Sequence, residues 1–409
     1  ITKCFASQPG ACCLLFKKTE AMRLTQIELA IFTRGYMFKR VIYIVKSDLA
    51  FYPPCMSQIR MIKDLGVQIE VWFGSSKDTA KEILKGEGIP FTELVDPHLS
   101  VGGKLDTLNN WTHFRKAVLA RLKKEPMDYL VWFGTAESAL PLYGALSGIP
   151  YVATALELCD DQPTKERLFA AVCRNALAVT CCELNRAYYM KIKWGLNSLP
   201  AVFPNKPYGL KAGEIPSISS SETRQIIDEL EGRKILLYQG LFQRPEYVAP
   251  IAEALNLLES DYAFVLMGKD RYGTTEQMKK IYPDTFVYGF VPAPKHLEIT
   301  ARARIGVVLY DDTSLNKAFC APNKIYEYAA FGLPTLANRL PGLVSTVEAS
   351  GSGMCVDFQP ESIADAIKQI DHKYSQFRSC AYDFFNGTDN LAVMKSLLQG
   401  LGAFDKADD

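Results

Sequence analysis

The sequence is short of several things, and each shortage removes a class of protein. It has no charge excess: 46 basic residues stand against 45 acidic ones, a formal net charge of +1. A surface built for nucleic acid carries a marked basic excess, so no nucleic-acid partner is expected. It has only four histidines, none paired at a ligand spacing, and no CxxC among its 11 cysteines, which argues against a zinc site. The cysteine count is odd, and the adjacent pairs Cys12–Cys13 and Cys181–Cys182 have poor geometry for a disulfide. Reduced thiols and a cytoplasmic location are the expectation. No run approaches the roughly 18 apolar residues that a membrane span requires.

What is present is an ordinary globular composition, 48% apolar and 22% charged, over 409 residues. That length exceeds what one hydrophobic core usually serves, so two domains are expected, with one large α/β domain as the alternative. Residues 1–36 lack clear periodicity, and Met37 stands directly before a strand-like run as a plausible start. They read as an extension, either a membrane-associating segment or a gene-start artefact.

Val41 to Val45 is a continuous apolar, β-branched run, the mark of a strand buried on both faces. After Pro53-Pro54, residues Met56, Ile59, Ile62 and Leu65 form a helical face that Gly66 is placed to end, and Val67 to Phe73 supplies the next strand. The alternation returns with a strand at 129–133, a helix at 138–147, strands at 151–155 and 176–181, a helix at 183–193 and a strand at 198–203. Residues 206–221 then change character: Pro207, Gly209, Gly213 and Pro216 precede serines at 217, 219, 220 and 221, the composition of a linker. Strands at 234–238, 263–267, 286–288, 305–310 and 334–337 follow, with a helical stripe of Val248, Ile251, Leu255 and Leu258 and a second helix from Asn323 to Phe331. The expected fold class is therefore α/β, two Rossmann-like, doubly wound parallel-sheet domains facing across a cleft. They span 37–205 and 232–377, joined by a linker and short helix at 206–231.

In open parallel sheets, ligands sit beyond the carboxyl ends of the strands. In the second half these positions hold Gln239, Gly240 and Arg244 after the first strand, Gly268 and Lys269 after the second, and Gly289 to Pro292 after the third. Asn323 and Lys324 open the helix that contains Glu327. A helix N-terminus offers free N–H groups and a positive dipole end to phosphate. Lys324 there, with Arg244 across the crevice, adds two charges that can stabilise a diphosphate leaving group without metal. Glu327, one turn inside, can accept hydrogen bonds from two ribose hydroxyls, and the glycines let backbone approach a ligand closely. Each residue has an ordinary alternative: Glu327 as a dipole-complementing acid, Arg244 and Lys324 as solvated surface cations, Gly240 and Gly268 as turn residues.

The stretch from Pro322-Asn323-Lys324-Ile325-Tyr326-Glu327 to Pro334 resembles the donor-binding signature of GT-B glycosyltransferases, most of all the family 4 group. Lys234 to Gly240 with Arg244, Ala155 to Leu158, Glu183 to Met190 and Pro204 to Pro207 also fit, so the resemblance covers roughly residues 38–375. It implies a nucleotide-sugar donor, of the UDP type, as substrate rather than cofactor, and a glycan or lipid-linked acceptor in the first domain. Arg244 and Lys324 would bind the diphosphate, Glu327 the ribose, backbone near Val291 the base, and Glu157 would face the reacting sugar. Transfer with retention and helices at 378–409 crossing back to the first domain are implied as well.

Two positions depart from the family pattern. Eight residues before Glu327, where a second glutamate is usual, stands Phe319, and Leu156 replaces a histidine before Glu157. A non-transferring enzyme of the same fold, such as a sugar-nucleotide epimerase, and a catalytically silent binding protein therefore stay open. No GxGxxG follows Val45 or Tyr238, which disfavours a dinucleotide-dependent oxidoreductase. Peripheral contact with the inner face of a membrane is a further expectation, through Lys39, Arg40, Phe51 and Tyr52.

Overall fold

The computed structural model describes residues 38–74, 78–94, 104–258 and 261–403. The extension at 1–36 and the start at Met37 lie outside them. The chain forms two sheets in which every strand pair is parallel. The first contains β1 (Arg40–Val45), β2 (Gln68–Phe73), β3 (Phe91–Glu93), β4 (Tyr129–Phe133), β5 (Tyr151–Ala155), β6 (Ala178–Cys181) and β7 (Ala201–Val202), in the order β3-β2-β1-β4-β5-β6-β7. The second contains β8 (Lys234–Leu241), β9 (Tyr262–Lys269), β10 (Thr285–Tyr288), β11 (Ile305–Val308), β12 (Thr335–Asn338) and β13 (Gly353–Val356), in the order β10-β9-β8-β11-β12-β13.

Helices cover both faces of each sheet, which is why the central strands are apolar throughout. In β1, Ile42 and Ile44 enter one core with Val131 and Phe133 of β4, while Val41, Tyr43 and Val45 enter the opposite core with Leu130 and Trp132. Strand order reverses between β1 and β4 and between β8 and β11, so each sheet opens a crevice at those carboxyl ends.

The connections divide by the core they feed. The helix Ser221–Glu229 buries Ile226 against the second sheet, and Tyr374–Gly387 adds Ala381 and Phe385 to the same core. The helix Asn390–Gly400 instead buries Met394, Leu397 and Leu398 in the first-domain core beside Ile59 and Ile62. The chain thus changes domain near Thr388, about ten residues later than the sequence placed it. Two further expectations change. The helix set at 138–147 is only Ala136–Ala139 followed by a 3-10 turn, Leu140–Leu142; Pro141 lacks the N–H that a continuing helix needs. The strand set at 198–203 shrinks to Ala201–Val202 at the sheet edge, where it pairs with β6 alone. Among the described residues no helix is long and apolar enough to cross a membrane.

Candidate functional site

The two longest strands shape the site. β8 and β9 stay paired to Gly240↔Gly268 and Leu241↔Lys269, beyond the last pair that β8 makes with β11. Gly240 has φ +110° and Gly268 +155°, angles that side chains other than glycine rarely adopt. A Cβ on Gly268 would fall 1.7 Å from the Gly240 carbonyl oxygen, and one on Gly240 would lie 3.4 Å from Lys324 Nζ. Bare backbone therefore floors the crevice, and the lysine ammonium lies directly over it.

Lys324 stands in the first turn of the helix Asn323–Ala330, which Pro322 precedes in extended conformation and which no side chain caps. The free N–H groups of that turn accordingly face the same crevice as the ammonium. Nζ sits 5.2 Å from the ring centre of Tyr238 and 5.7 Å from that of Tyr310. Burial lowers the Lys324 pKa to about 8, although Glu327 and Cys320 act in the opposite direction. This cation is held short of solvation, a condition that an anionic ligand relieves.

Behind it lies a buried polar chain. Thr300 Oγ1 donates to Gln239 Oε1 at 2.7 Å, and this fixes the amide so that Nε2 donates to Glu327 Oε2, also at 2.7 Å. His296 Nε2 approaches the same oxygen at 3.4 Å. Glu327 is 9% exposed, and with Oε2 engaged its Oε1 carries no hydrogen bond among the described residues. His296 Nδ1 is likewise buried without a partner among them.

Arg244 sits further out. Its side chain is 64% exposed, 4.0 Å from Glu246, with the guanidinium 5.7 Å over the Tyr272 ring. Tyr272 belongs to the loop after β9, where Asp270 accepts from the N–H groups of Tyr272, Thr274 and Thr275. Burial pushes the Asp270 carboxyl up, but these donors outweigh it and hold the pKa near 2. On the far side Val291 is buried after β10, and Lys269 Nζ lies 5.0 Å over the exposed Phe290 ring.

The first domain faces this crevice with charges. Glu157 is exposed at the end of β5, and its charge is among those that raise the Tyr310 pKa, after burial itself. Glu137 bonds Lys165 at 2.5 Å. Burial lowers the pKa of Lys46, against the pull of Glu137. Beside them a cavity of about 400 Å³ is lined by Trp111, Leu140, Pro163, Leu168 and Lys165.

Of the sequence-predicted residues, Gln239, Gly240, Gly268, Asn323, Lys324 and Glu327 converge, with Val291 on one flank, Arg244 on the rim and Glu157 on the opposing domain. His296 and Thr300 were not anticipated: a lone histidine and a helical threonine carry no sequence signal, and only the fold brings them to Glu327 and Gln239. The four residues assigned to membrane contact do not form one patch. Lys39 and Arg40 stand at the amino end of β1, where Arg40 pairs with Glu125 and Asp128, whereas Phe51 and Tyr52 follow its carboxyl end. No group of three or more His, Cys, Asp or Glu side chains gathers as a metal site among the described residues.

Two facing parallel-sheet domains with the site at the reversal of the second sheet define the GT-B architecture. Within the second domain, residues 233–372 match the family model described as Glycosyl transferases group 1. No curated protein sequence matches the chain. Among solved structures, Anabaena HepE in complex with UDP and glucose superposes with a TM-score of 0.62 at 14% identity, covering 89% of this chain and 99% of that one. Sucrose-phosphate synthase from Thermosynechococcus elongatus gives 0.63 at 15% identity over 88% and 98% of the two chains. WaaG, a glycosyltransferase involved in lipopolysaccharide biosynthesis, gives 0.59 at 13% over 90% and 100%.

Proposed function

We propose that the protein transfers a sugar from a nucleoside-diphosphate sugar, of the UDP type, to a hydroxyl of a glycan or lipid-linked acceptor, without a metal ion or cofactor. The observation that carries the reading is the Lys324 ammonium lying over the Gly240–Gly268 floor at an uncapped helix N-terminus. A diphosphate there meets one full positive charge and several free N–H groups, the combination that stabilises a leaving phosphate. Glu327, with one oxygen held by Gln239, presents the other to the ribose, so Gln239 acts on the donor through Glu327. Asn323 lends its N–H to the phosphate, the Val291 backbone meets the base, and Arg244 swings in from the rim to reach the outer phosphate. HepE was solved with UDP and glucose, which supports UDP as the nucleotide.

The acceptor enters from the first domain, between Glu157 and the cavity beside Lys165. As the bond from sugar to phosphate breaks, positive charge on the ring is countered by Glu157 and negative charge on the phosphate by Lys324. The acceptor oxygen bonds to the anomeric carbon on the face the phosphate leaves, and the departing phosphate oxygen takes the acceptor's proton, giving retention with Glu157 acting only as a counter-charge. Thermal-shift titration with UDP, GDP and ADP, each with and without EDTA, tests the donor half, because at a fixed ligand concentration stabilisation grows with the logarithm of affinity. UDP should stabilise equally in both conditions; a requirement for added metal contradicts the site. Incubation of UDP-sugars with sugar acceptors, followed by anomeric analysis of the product, tests transfer and retention.

A second reading has its own support. Phe319, at the position of the missing glutamate, packs against the first-domain core and has no carboxylate to offer a donor sugar. A binding protein without transfer would show the UDP shift and no turnover with any acceptor pool.

A further inference from the structure

The loop after β5 and the loop before the helix Asn323–Ala330 come from different domains and are fastened together. Asp160 of the first domain accepts from the N–H groups of Leu315 at 2.5 Å and Asn316 at 3.2 Å, so its carboxylate takes the first two N–H groups of the short helix Leu315–Ala318 of the second, beside that helix's own N-cap Ser314. Asn316 returns a bond, its Oδ1 accepting from Leu158 N–H at 2.8 Å. Arg186, 5% exposed, donates through Nη1 to Leu156 O at 2.6 Å, through Nη2 to Asn316 O at 2.7 Å and through Nε to Phe319 O at 2.7 Å. One buried guanidinium thus joins carbonyls of both domains, a use of its fixed fork of donors that lysine cannot reproduce.

The arrangement has a direction. Leu156 and Leu158, the two neighbours of Glu157, are each tied into this cluster. On the other side the tied Phe319 leads in five residues to Lys324, and Asn205 Nδ2 holds the intervening Ala321 O at 2.7 Å. The residues facing the acceptor and the leaving group are therefore connected by a short, hydrogen-bonded path.

We propose that Asp160, Asn316 and Arg186 are positioning residues that clasp the two domains shut and fix Glu157 opposite Lys324. This rests on the reading that Glu157 and Lys324 flank the reacting sugar. Phe319 serves as the apolar contact of that joint, packing against the first-domain core.

The test uses the full chain with Asp160→Ala, Asn316→Ala, the double variant, Asp160→Asn as the conservative replacement and Asp161→Ala as a neighbouring control. Small-angle X-ray scattering reads domain closure, UDP thermal shift reads the donor site, and turnover of a UDP-sugar with the best acceptor found, or with water, reads the chemistry. The double variant should scatter as a more open particle and bind UDP as wild type does. Its kcat should fall by at least about 10²-fold, the penalty that a misplacement of only about 1 Å already incurs, while KM for the donor changes little. Asp160→Asn should recover part of the loss and Asp161→Ala should lose nothing. An unchanged scattering profile in the double variant overturns the proposal, as does opening without loss of kcat or an equal loss of UDP binding. Absence of UDP binding and turnover in the wild-type chain would instead sink the donor reading, while the scattering comparison still decides whether the clasp closes the domains.

Discussion

The two faces that meet across the cleft are built in opposite ways. The second domain makes its face from backbone: two glycines in conformations closed to other residues, a helix end without a side-chain cap and a single lysine lying over them. The first domain makes its face from side chains: Glu137 with Lys165, a half-buried Lys46, an exposed Glu157 and a cavity edged by Trp111. Backbone donors suit a group that never varies, such as a diphosphate, because they cost no reorganisation when it arrives. Side chains can change one at a time without disturbing the sheet, so under the proposed function the first domain is where acceptor preference would be set.

Substitutions can break this contrast, the most severe on the backbone-built face. Lys324→Ala should lower turnover about 10³-fold, the upper range for losing one preorganised charge at a leaving group. It should also abolish most of the UDP thermal shift while the apo melting temperature holds or rises, since a poorly solvated ammonium is removed. Glu157→Gln should lower kcat about 10²-fold with UDP affinity unchanged, separating the two faces by titration calorimetry and steady-state kinetics. Equal losses in both measurements would erase the contrast.

Glu327→Gln should weaken UDP about tenfold, the cost of turning a charge-assisted hydrogen bond into a neutral one, and leave inorganic pyrophosphate binding as it was. The smallest effect is the pH dependence. With Lys324 titrating near pH 8 in the free protein, UDP affinity should be insensitive to this group below that pH and fall above it, by at most about tenfold per unit for one proton. The sign for apo stability is opposite: the unfolded lysine, at 10.5, holds its proton longer than the folded one at about 8. Stability contributed by this group therefore rises with pH between those values. In Lys324→Arg the fall in affinity near pH 8 should vanish, because arginine stays charged.

Much of the donor face is legible in the sequence because its parts are local. An apolar run ending in glycine and a Pro-Asn-Lys opening to a helix each occupy a few adjacent residues, and parallel-sheet topology brings their ends together. Buried central strands such as β4 and β5 are legible for the same reason, whereas β3 and β13 are short edge strands with part-exposed residues and no strong period. The rest depends on distance along the chain. The bond between Leu158 and Asn316 joins residues 158 apart, and neither carries a pattern that points to the other. Gln239 reads as a ligand contact from its place near the carboxyl end of β8, and only the folded structure shows its amide consumed by Thr300 and Glu327.

The helix Asn390–Gly400 gives the molecule an order of completion. Met394, Leu397, Leu398 and Leu401 fill a core that otherwise belongs to residues 38–203, and each such side chain is worth about 1.5–3 kcal/mol when fully buried. As the polypeptide leaves the ribosome, the earlier half waits with an open apolar trough until the later half has been made and folded. Domains usually fold in turn, amino-terminal first; here the first to emerge is the last to close, and a first half expressed alone, or exchanged with a relative, should expose that trough unless the helix is carried along.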